Sequence, residues 1–271
     1  MDLGLTDRIA FVAGASSGLG RAAAAELARE GSRVALCSRS ETRIADAATA
    51  IADDAGVDPD RLLPLACDVT DETQIEQAID HAVDHFGGLN ILLTNAGGPP
   101  SGSIDDFDAD DWRDAVELNL MSTINLCRHA LPHLRTAADD GDGLARILMV
   151  TSVSAKQPIP NLDLSNTARA GVQGFAKSLA NDLGPEGITV NTLLPGYTRT
   201  ERLKDLAETI QARTGQSYDA VEANWAEDNA LKRIGTTDEF AAAVAFLASQ
   251  RAAYITGVAL PVDGGRVKHV L

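Results

Sequence analysis

The stretch Ile9-Ala10-Phe11-Val12-Ala13-Gly14-Ala15-Ser16-Ser17-Gly18-Leu19-Gly20 decides the fold. Five apolar residues that end at a glycine have the length and content of a buried strand, and the residues that follow set Leu19, Ala23 and Leu27 on one face of a helix. In the turn between them, Gly14, Gly18 and Gly20 permit a tight backbone. With Ser16, Ser17 and Leu19 they bring N–H groups to a helix N-terminus, where the dipole favours an anion such as a pyrophosphate. A glycine-rich turn can also be a plain strand-to-helix connection, but the strand before it and the helix after it supply the context a dinucleotide motif requires.

Six further runs repeat the strand pattern, at 33–37, 62–66, 91–94, 147–150, 188–193 and 258–262. Segments of helical length separate them. This alternation predicts an α/β fold with one domain over 1–271: a Rossmann-type, doubly wound parallel sheet of about seven strands with helices on both faces. The polar segment 137–143 reads as a loop inside that domain. A helix over 166–181 carries Ala168, Ala170, Val172, Phe175, Ala176 and Leu179 on more than one stripe, which predicts burial against both its own sheet and a neighbouring subunit.

Composition narrows the classes of function. The 271 residues are 45% hydrophobic, enough for one sizeable core. No run of about 18 apolar residues occurs, and the opening Met1-Asp2-Leu3-Gly4-Leu5-Thr6-Asp7 has neither a basic nor an apolar leader region, so a cytoplasmic protein outside the membrane is expected. A net charge of -16, from 27 Asp and 12 Glu against 18 Arg and 5 Lys, repels nucleic acid. The excess of Asp over Lys resembles proteins of salt-rich cytoplasm, where the screening length shrinks to about 3 Å at 1 M; an ordinary acidic bacterial surface is the plainer reading. Cys37, Cys67 and Cys127, far apart in sequence and in apolar surroundings, are expected to be reduced, buried thiols. The i, i+4 pairs His81/His85 and His129/His133 lack a third ligand and read as solvated helix faces, so no metal site is expected.

The end of the second strand favours NADP(H) over NAD(H). Ser38 stands where an acidic residue would bind the ribose hydroxyls, and Arg39 beside it attracts a 2′-phosphate. Arg39 could also simply open a solvated helix with Glu41 and Arg43.

The spacing Gly14-x-x-x-Gly18-x-Gly20 departs from the usual dinucleotide fingerprint and resembles the short-chain dehydrogenase/reductase family, in its 3-oxoacyl-carrier-protein reductase-like branch. Matches in the same order carry the resemblance over essentially the whole chain. Cys67-Asp68-Val69-Thr70 resembles the family's adenine-contacting turn, with Asp68 accepting from the base amino group and Val69 packing beside it. Asn95-Ala96-Gly97 resembles the strand-end motif that supports the sheet centre against the cofactor. Asn119 matches the helix asparagine whose backbone supports a proton-relay water. Pro195-Gly196 with Thr198 resembles the segment beside the nicotinamide carboxamide, and Ile255-Thr256-Gly257 through Gly265 resembles the last strand.

The resemblance breaks at the catalytic positions. The family places a serine at the end of the fifth strand, a tyrosine thirteen residues later and a lysine four further on; this chain has Ser152, then Ser165 and Arg169. In relatives the lysine lowers the tyrosine's pKa and binds the nicotinamide ribose. A serine hydroxyl is a much weaker acid than a phenol and reaches less far, while Arg169 offers a planar fork to ribose or phosphate oxygens without titrating as lysine does. Lys156 lies on the loop leading to Ser165 and either brings an ammonium to the cleft or is solvated. Tyr197 reads as packing rather than as a substitute acid. The region 198–235 matches the family's substrate lid.

The resemblance implies an oxidoreductase that moves a hydride between NADP(H) and a small carbonyl or alcohol substrate, assembled as a homotetramer. A catalytically silent dinucleotide-binding sensor or scaffold, and an inactive partner subunit of an active relative, are the rival readings.

Overall fold

Alternate residues of a strand point to opposite faces, and here both sets are apolar, so each strand must be covered on both sides. A computed structural model describing residues 2–140 and 143–270 shows how this is done. In chain order the elements are β1 (Ile9–Val12), α1 (Gly18–Arg29), β2 (Arg33–Ser38), α2 (Glu41–Ala55), β3 (Leu62–Ala66), α3 (Glu72–Phe86), β4 (Ile91–Thr94), α4 (Ala109–Val116) and α5 (Ser122–Asp139). There follow β5 (Ala145–Val150), α6 (Asp163–Leu183), β6 (Ile188–Pro195), α7 (Glu201–Thr214), α8 (Tyr218–Asp228), α9 (Thr237–Ala248) and β7 (Ala259–Val262). The seven strands run parallel in the order β3-β2-β1-β4-β5-β6-β7.

Strand alternation divides the interior into two cores. Ala10 and Val12 of β1, Val34 and Leu36 of β2, and Leu148 and Val150 of β5 pack on one face with Leu27 of α1, Ile51 of α2 and Phe240 of α9. Phe11, Ala35, Ile147 and Met149 point the other way, onto Ile75 of α3, Leu126 of α5 and Val172 of α6. At about 25 cal/mol per Å² of apolar surface, these two layers supply the main drive for folding. Short polar caps end the helices: Ser40 accepts from Arg43 N, Asp71 from Thr73 N and Gln74 N, and Thr236 and Glu239 form a reciprocal capping box on α9.

All seven expected strands occur: β2, β5 and β6 run one or two residues longer than expected, β3 and β4 match, and β1 and β7 are one residue shorter. The segment 137–143 is shorter as a loop than its polarity predicts. Ala137, Ala138 and Asp139 complete the last turn of α5, because Leu134 of the same helix is anchored in the core; Gly141 and Asp142 lie outside the described residues. No helix among the described residues is long and apolar enough to cross a membrane.

The chain winds outward from β1 in one direction and from β4 in the other, so the sheet opens a crevice at the carboxyl ends of these two strands. Close packing at that point depends on glycine: a Cβ on Gly20 would lie 2.3 Å from Gly14 O, whereas one on Gly174, inside α6, would meet nothing within 4 Å. Gly20→Ala should therefore cost about 1–3 kcal/mol of stability. Gly174→Ala should add about 0.5–1 kcal/mol. Urea unfolding of the two variants beside wild type checks both; equal midpoints would mean that the α1–β1 approach is looser than described.

Candidate active site

The crevice is a cleft of about 730 Å³, within the range of small-molecule sites. Its floor is the turn after β1. Gly14 and Gly18 adopt φ +61 and +57, the left-handed region that favours glycine, and a Cβ on Gly14 would collide with Asn95 at 2.8 Å. The Asn95 amide donates to Ala13 O (3.3 Å) and Gly14 O (3.1 Å), which fixes the end of β4 against the turn. Ser17 occupies the N-cap of α1 but its side chain makes no capping hydrogen bond, leaving the first-turn N–H groups facing the cleft. Gly14, Ser16, Ser17, Gly18 and Leu19 line the floor; Gly20 stands behind it as a packing residue.

At the β2–β3 end the wall is formed by Ser38, Arg39, Asp68 and Val69. Ser38 donates to Ser40 O (3.3 Å), and Asp68 Oδ1 accepts from the Thr70 amide (3.0 Å) and hydroxyl (2.8 Å). Arg39 is exposed and has no ion-pair partner among the described residues, while Arg43 pairs with Glu201 of α7 across the opening at 3.5 Å. Beneath this wall Cys37 and Cys67, distant in sequence, come together at the ends of adjacent strands. Their contact and burial push the Cys37 thiol well above its ordinary range. Cys127 is raised by burial alone.

The opposite end gathers the predicted catalytic residues. Ser152 follows β5 in extended backbone, and its Oγ accepts from Ser154 N at 3.0 Å, so the hydroxyl proton remains to be donated. Ser165 and Arg169 lie one turn apart on α6 and line the cleft with Ser152. Arg169 is 8% exposed; it donates to Val150 O (2.8 Å) and Ala96 O (3.4 Å), and its buried Nε has no partner among the described residues. Burial, reinforced by the nearby Arg202 charge, lowers its pKa to about 10, so it stays cationic at neutral pH. Ala96, Gly97, Pro195, Gly196 and Thr198 complete the wall.

Two expected residues lie off that wall. Asn119 sits in a π-helical turn (Glu117–Met121) between α4 and α5. Its side-chain amide donates to Gly97 O at 2.7 Å from behind, and its backbone carbonyl accepts from Thr123 Oγ1 at 3.1 Å. Lys156 closes the short turn after Ser152 and does not line the cleft. Tyr197 turns away too: its ring stacks on Trp225 at 4.8 Å beneath the Arg266 guanidinium at 4.0 Å, as packing predicts. His129 and His133 face carboxylates of α3, at 3.2 Å from Glu72 and 3.8 Å from Asp80. Among the described residues, no three His, Cys, Asp or Glu groups are placed to hold a metal ion.

The structure also brings in residues that sequence reasoning passed over. Thr200, Glu201 and Arg202 open α7 and line the cleft, with Thr200 Oγ accepting from Leu203 N at 3.2 Å. A Thr N-cap shortly after Pro195-Gly196 is the signal that could have located them.

The family profile described as Enoyl-(Acyl carrier protein) reductase matches residues 14–266. The 3-oxoacyl-[acyl-carrier-protein] reductase FabG of Escherichia coli (strain K12) is 34% identical over 258 residues, covering 95% of this chain and 96% of the relative. L-sorbose reductase from Gluconobacter frateurii, solved with NADPH and L-sorbose, superposes with a TM-score of 0.92 at 30% identity, covering 100% of both chains. An NADPH-bound short chain oxidoreductase from Pseudomonas aeruginosa PAO1, described as containing an atypical catalytic center, gives 0.86 at 31% identity over 98% of this chain and 100% of that one. Both the profile and the full-length similarities agree with the strand order and the glycine turn: the chain belongs to the short-chain dehydrogenase/reductase family, and is 3-oxoacyl-carrier-protein reductase-like.

Proposed function

We propose that this protein is an NADP(H)-dependent oxidoreductase that moves a hydride between the dinucleotide and a small carbonyl or alcohol, using an altered proton-handling centre. The observation that carries this reading is the make-up of the cleft. One end is a backbone cradle that admits no Cβ at Gly14 or Gly20, with an arginine that has no carboxylate partner among the described residues; the other holds two serine hydroxyls and a buried guanidinium.

These groups suit a dinucleotide. The uncapped first turn of α1 offers N–H donors to a diphosphate, Arg39 offers charge to a 2′-phosphate, and Ser38 omits the carboxylate that would repel it. Asp68 and Val69 would take the adenine, while Asn95, Ala96, Gly97, Pro195, Gly196 and Thr198 would flank the nicotinamide half. When bound, the nicotinamide supplies or accepts the hydride.

The protein then has to orient the substrate and handle one proton. Ser152 positions the substrate oxygen by a hydrogen bond from its hydroxyl, whose Oγ also accepts from Ser154 N. Arg169, cationic at neutral pH, orients the ribose. Ser165, too short to replace a phenol, shares with Ser152 the task of holding a water that carries the proton, and Asn119 steadies this wall by fixing Gly97 O. Lys156, off the wall, has no assigned step. Loss of a tuned general acid costs about 10²–10⁴ in rate, so slow turnover of ordinary ketones is expected.

The segment 198–235 acts as the cover of this site. Leu203, Ala207, Val221, Trp225 and Ile234 give α7 and α8 a small core of their own, and a bridge between Thr198 and Gly235 gathers the two ends of the segment. One observation favours a catalytically silent sensor or scaffold: among the described residues no phenol lines the cleft, and the Arg169 fork is engaged by backbone carbonyls. Dependence of turnover on a co-purifying relative would instead mark an inactive partner subunit.

Assembly as a homotetramer, with a dimer as fallback, is supported by the unpaired edge of β7, the exposed Phe246, Tyr254 and Val258, and the second apolar stripe of α6 at Phe175 and Leu179. The acidic, lysine-poor surface fits a salt-rich cytoplasm, so measurements belong in molar salt. Light scattering there should give a tetramer or dimer at micromolar protein; a monomer refutes the assembly.

At matched salt, fluorescence titration should give tighter binding of NADPH than of NADH, with Arg39→Ala removing most of the difference. Tighter NADH binding by wild type contradicts the cofactor assignment. Ser152→Ala should lower turnover about 10²-fold or more with little change in nucleotide affinity, whereas Arg169→Ala should weaken nucleotide binding. Ser165→Tyr with Arg169→Lys should raise activity on simple carbonyls. If neither alanine variant alters turnover or affinity, the active site lies elsewhere.

A further inference from the structure

The substrate end of the cleft carries more positive charge than the dinucleotide reading uses. Arg202 lies in the first turn of α7 and donates to Pro99 O at 2.8 Å; Arg169 reaches from α6 to Ala96 O, three residues earlier in the same strand-end segment. Two guanidinium groups, one from the cover and one from the floor, are thus held against the segment after β4 by neutral carbonyls. They are near enough for Arg202 to disfavour the charge on Arg169. Neither has a carboxylate partner among the described residues; Glu201, the adjacent acid, is turned to Arg43.

Each feature is unfavourable on its own. A cation in the first turn of a helix opposes the macrodipole, like charges repel, and a guanidinium as buried as Arg169 is normally paired. The same arrangement becomes favourable once an anion enters. The first turn of α7, Arg202 and Arg169 would then act together, in a chain whose overall charge of -16 would otherwise repel such a ligand. The diphosphate has its own donors at α1, on the other side of Asn95-Ala96-Gly97.

We propose that the reacting carbonyl compound carries an oxyanion, received by Arg202 on the cover and supported by the Arg169 charge below, which makes the substrate class an oxo acid or a phosphorylated ketone rather than a neutral ketone or thioester. The inference rests on the dinucleotide reading above. It also gives the cover a reason to close: the anion links α7 to the floor.

The test uses the full-length protein in two stages, both read by the fluorescence of bound NADPH. Titration with NADPH alone comes first; no binding would refute the dinucleotide reading and this inference with it. The NADPH-loaded protein is then titrated with acetoacetate, levulinate and dihydroxyacetone phosphate, and with the methyl esters of the two acids. The oxyanion compounds should bind at least tenfold more tightly than the esters. Arg202→Gln should abolish that preference, and Arg202→Lys should restore part of it. A stronger response to the phosphate than to the acids identifies the phosphorylated class, and the reverse identifies oxo acids. Absence of oxyanion binding, equal binding of acids and esters, or a preference that survives Arg202→Gln overturns the proposal. If Arg202→Gln weakens NADPH itself and leaves the acid preference intact, Arg202 belongs to the dinucleotide and the proposal is likewise overturned.

Discussion

The Asn95 amide holds the carbonyls of Ala13 and Gly14, and the rest of the site is arranged around that contact. It joins β1 and β4 at the point where the sheet reverses its winding, and it works only because Gly14 and Gly20 have no side chain to intervene. With the carbonyls turned toward β4, the N–H groups of the next turn are left facing the cleft at the start of α1. One side-chain amide thereby fixes the sheet's crevice and gives it the polarity an anion needs. Residues that never touch a ligand set this geometry, which is why Gly20 is structural although it belongs to the motif.

On the proposed reading, Ser165 and Arg169 stand in place of a Tyr/Lys pair at the other end of the cleft, and the difference is more than one of acidity. A lysine ammonium is a compact charge on a flexible stem; the Arg169 fork instead fastens Val150 O and Ala96 O, joining the ends of β5 and β4. The guanidinium has become part of the frame and still carries its charge. Ser165 leaves room where a ring would stand, and the neighbouring polar groups suit a water in that space. On that reading the centre joins a wall braced by Arg169 to a weak acid, an arrangement that favours a substrate bringing its own polar or charged group.

Much of the fold could be read in the sequence because its signals are local: β-type runs separated by helical lengths, and a glycine turn whose neighbours supply its context. The proposed cofactor half could be read for the same reason, since Gly14, Ser38, Asp68 and Asn95 each lie at a strand end or within two residues of one. What could not be read depends on side-chain direction and on contacts between distant segments. Lys156 sits four residues from Ser152, yet the short turn after β5 carries it off the cleft wall; Asn119 acts from behind Gly97 through a π-helical turn with no sequence signature. Arg202 drew no notice among the many charges of a polar segment, because only the folded chain brings it to Pro99 and near Arg169. The meeting of Cys37 with Cys67 was hidden likewise, since strand pairing and not spacing puts them together.

The proposed chemistry is hydride transfer at a centre built on Ser152, Ser165 and Arg169. The direct measurement is mass spectrometry of the products after prolonged incubation, in molar salt, of NADPH deuterated on the transferring face at the nicotinamide C4 with neutral ketones, oxo acids and phosphorylated ketones. Both faces should be labelled in separate samples. The account requires deuterium at the carbinol carbon of a product alcohol from one of the two samples, with matching loss of label from the nucleotide. Tight NADPH binding with the label fully retained in both samples would contradict it and leave the protein a dinucleotide-binding sensor.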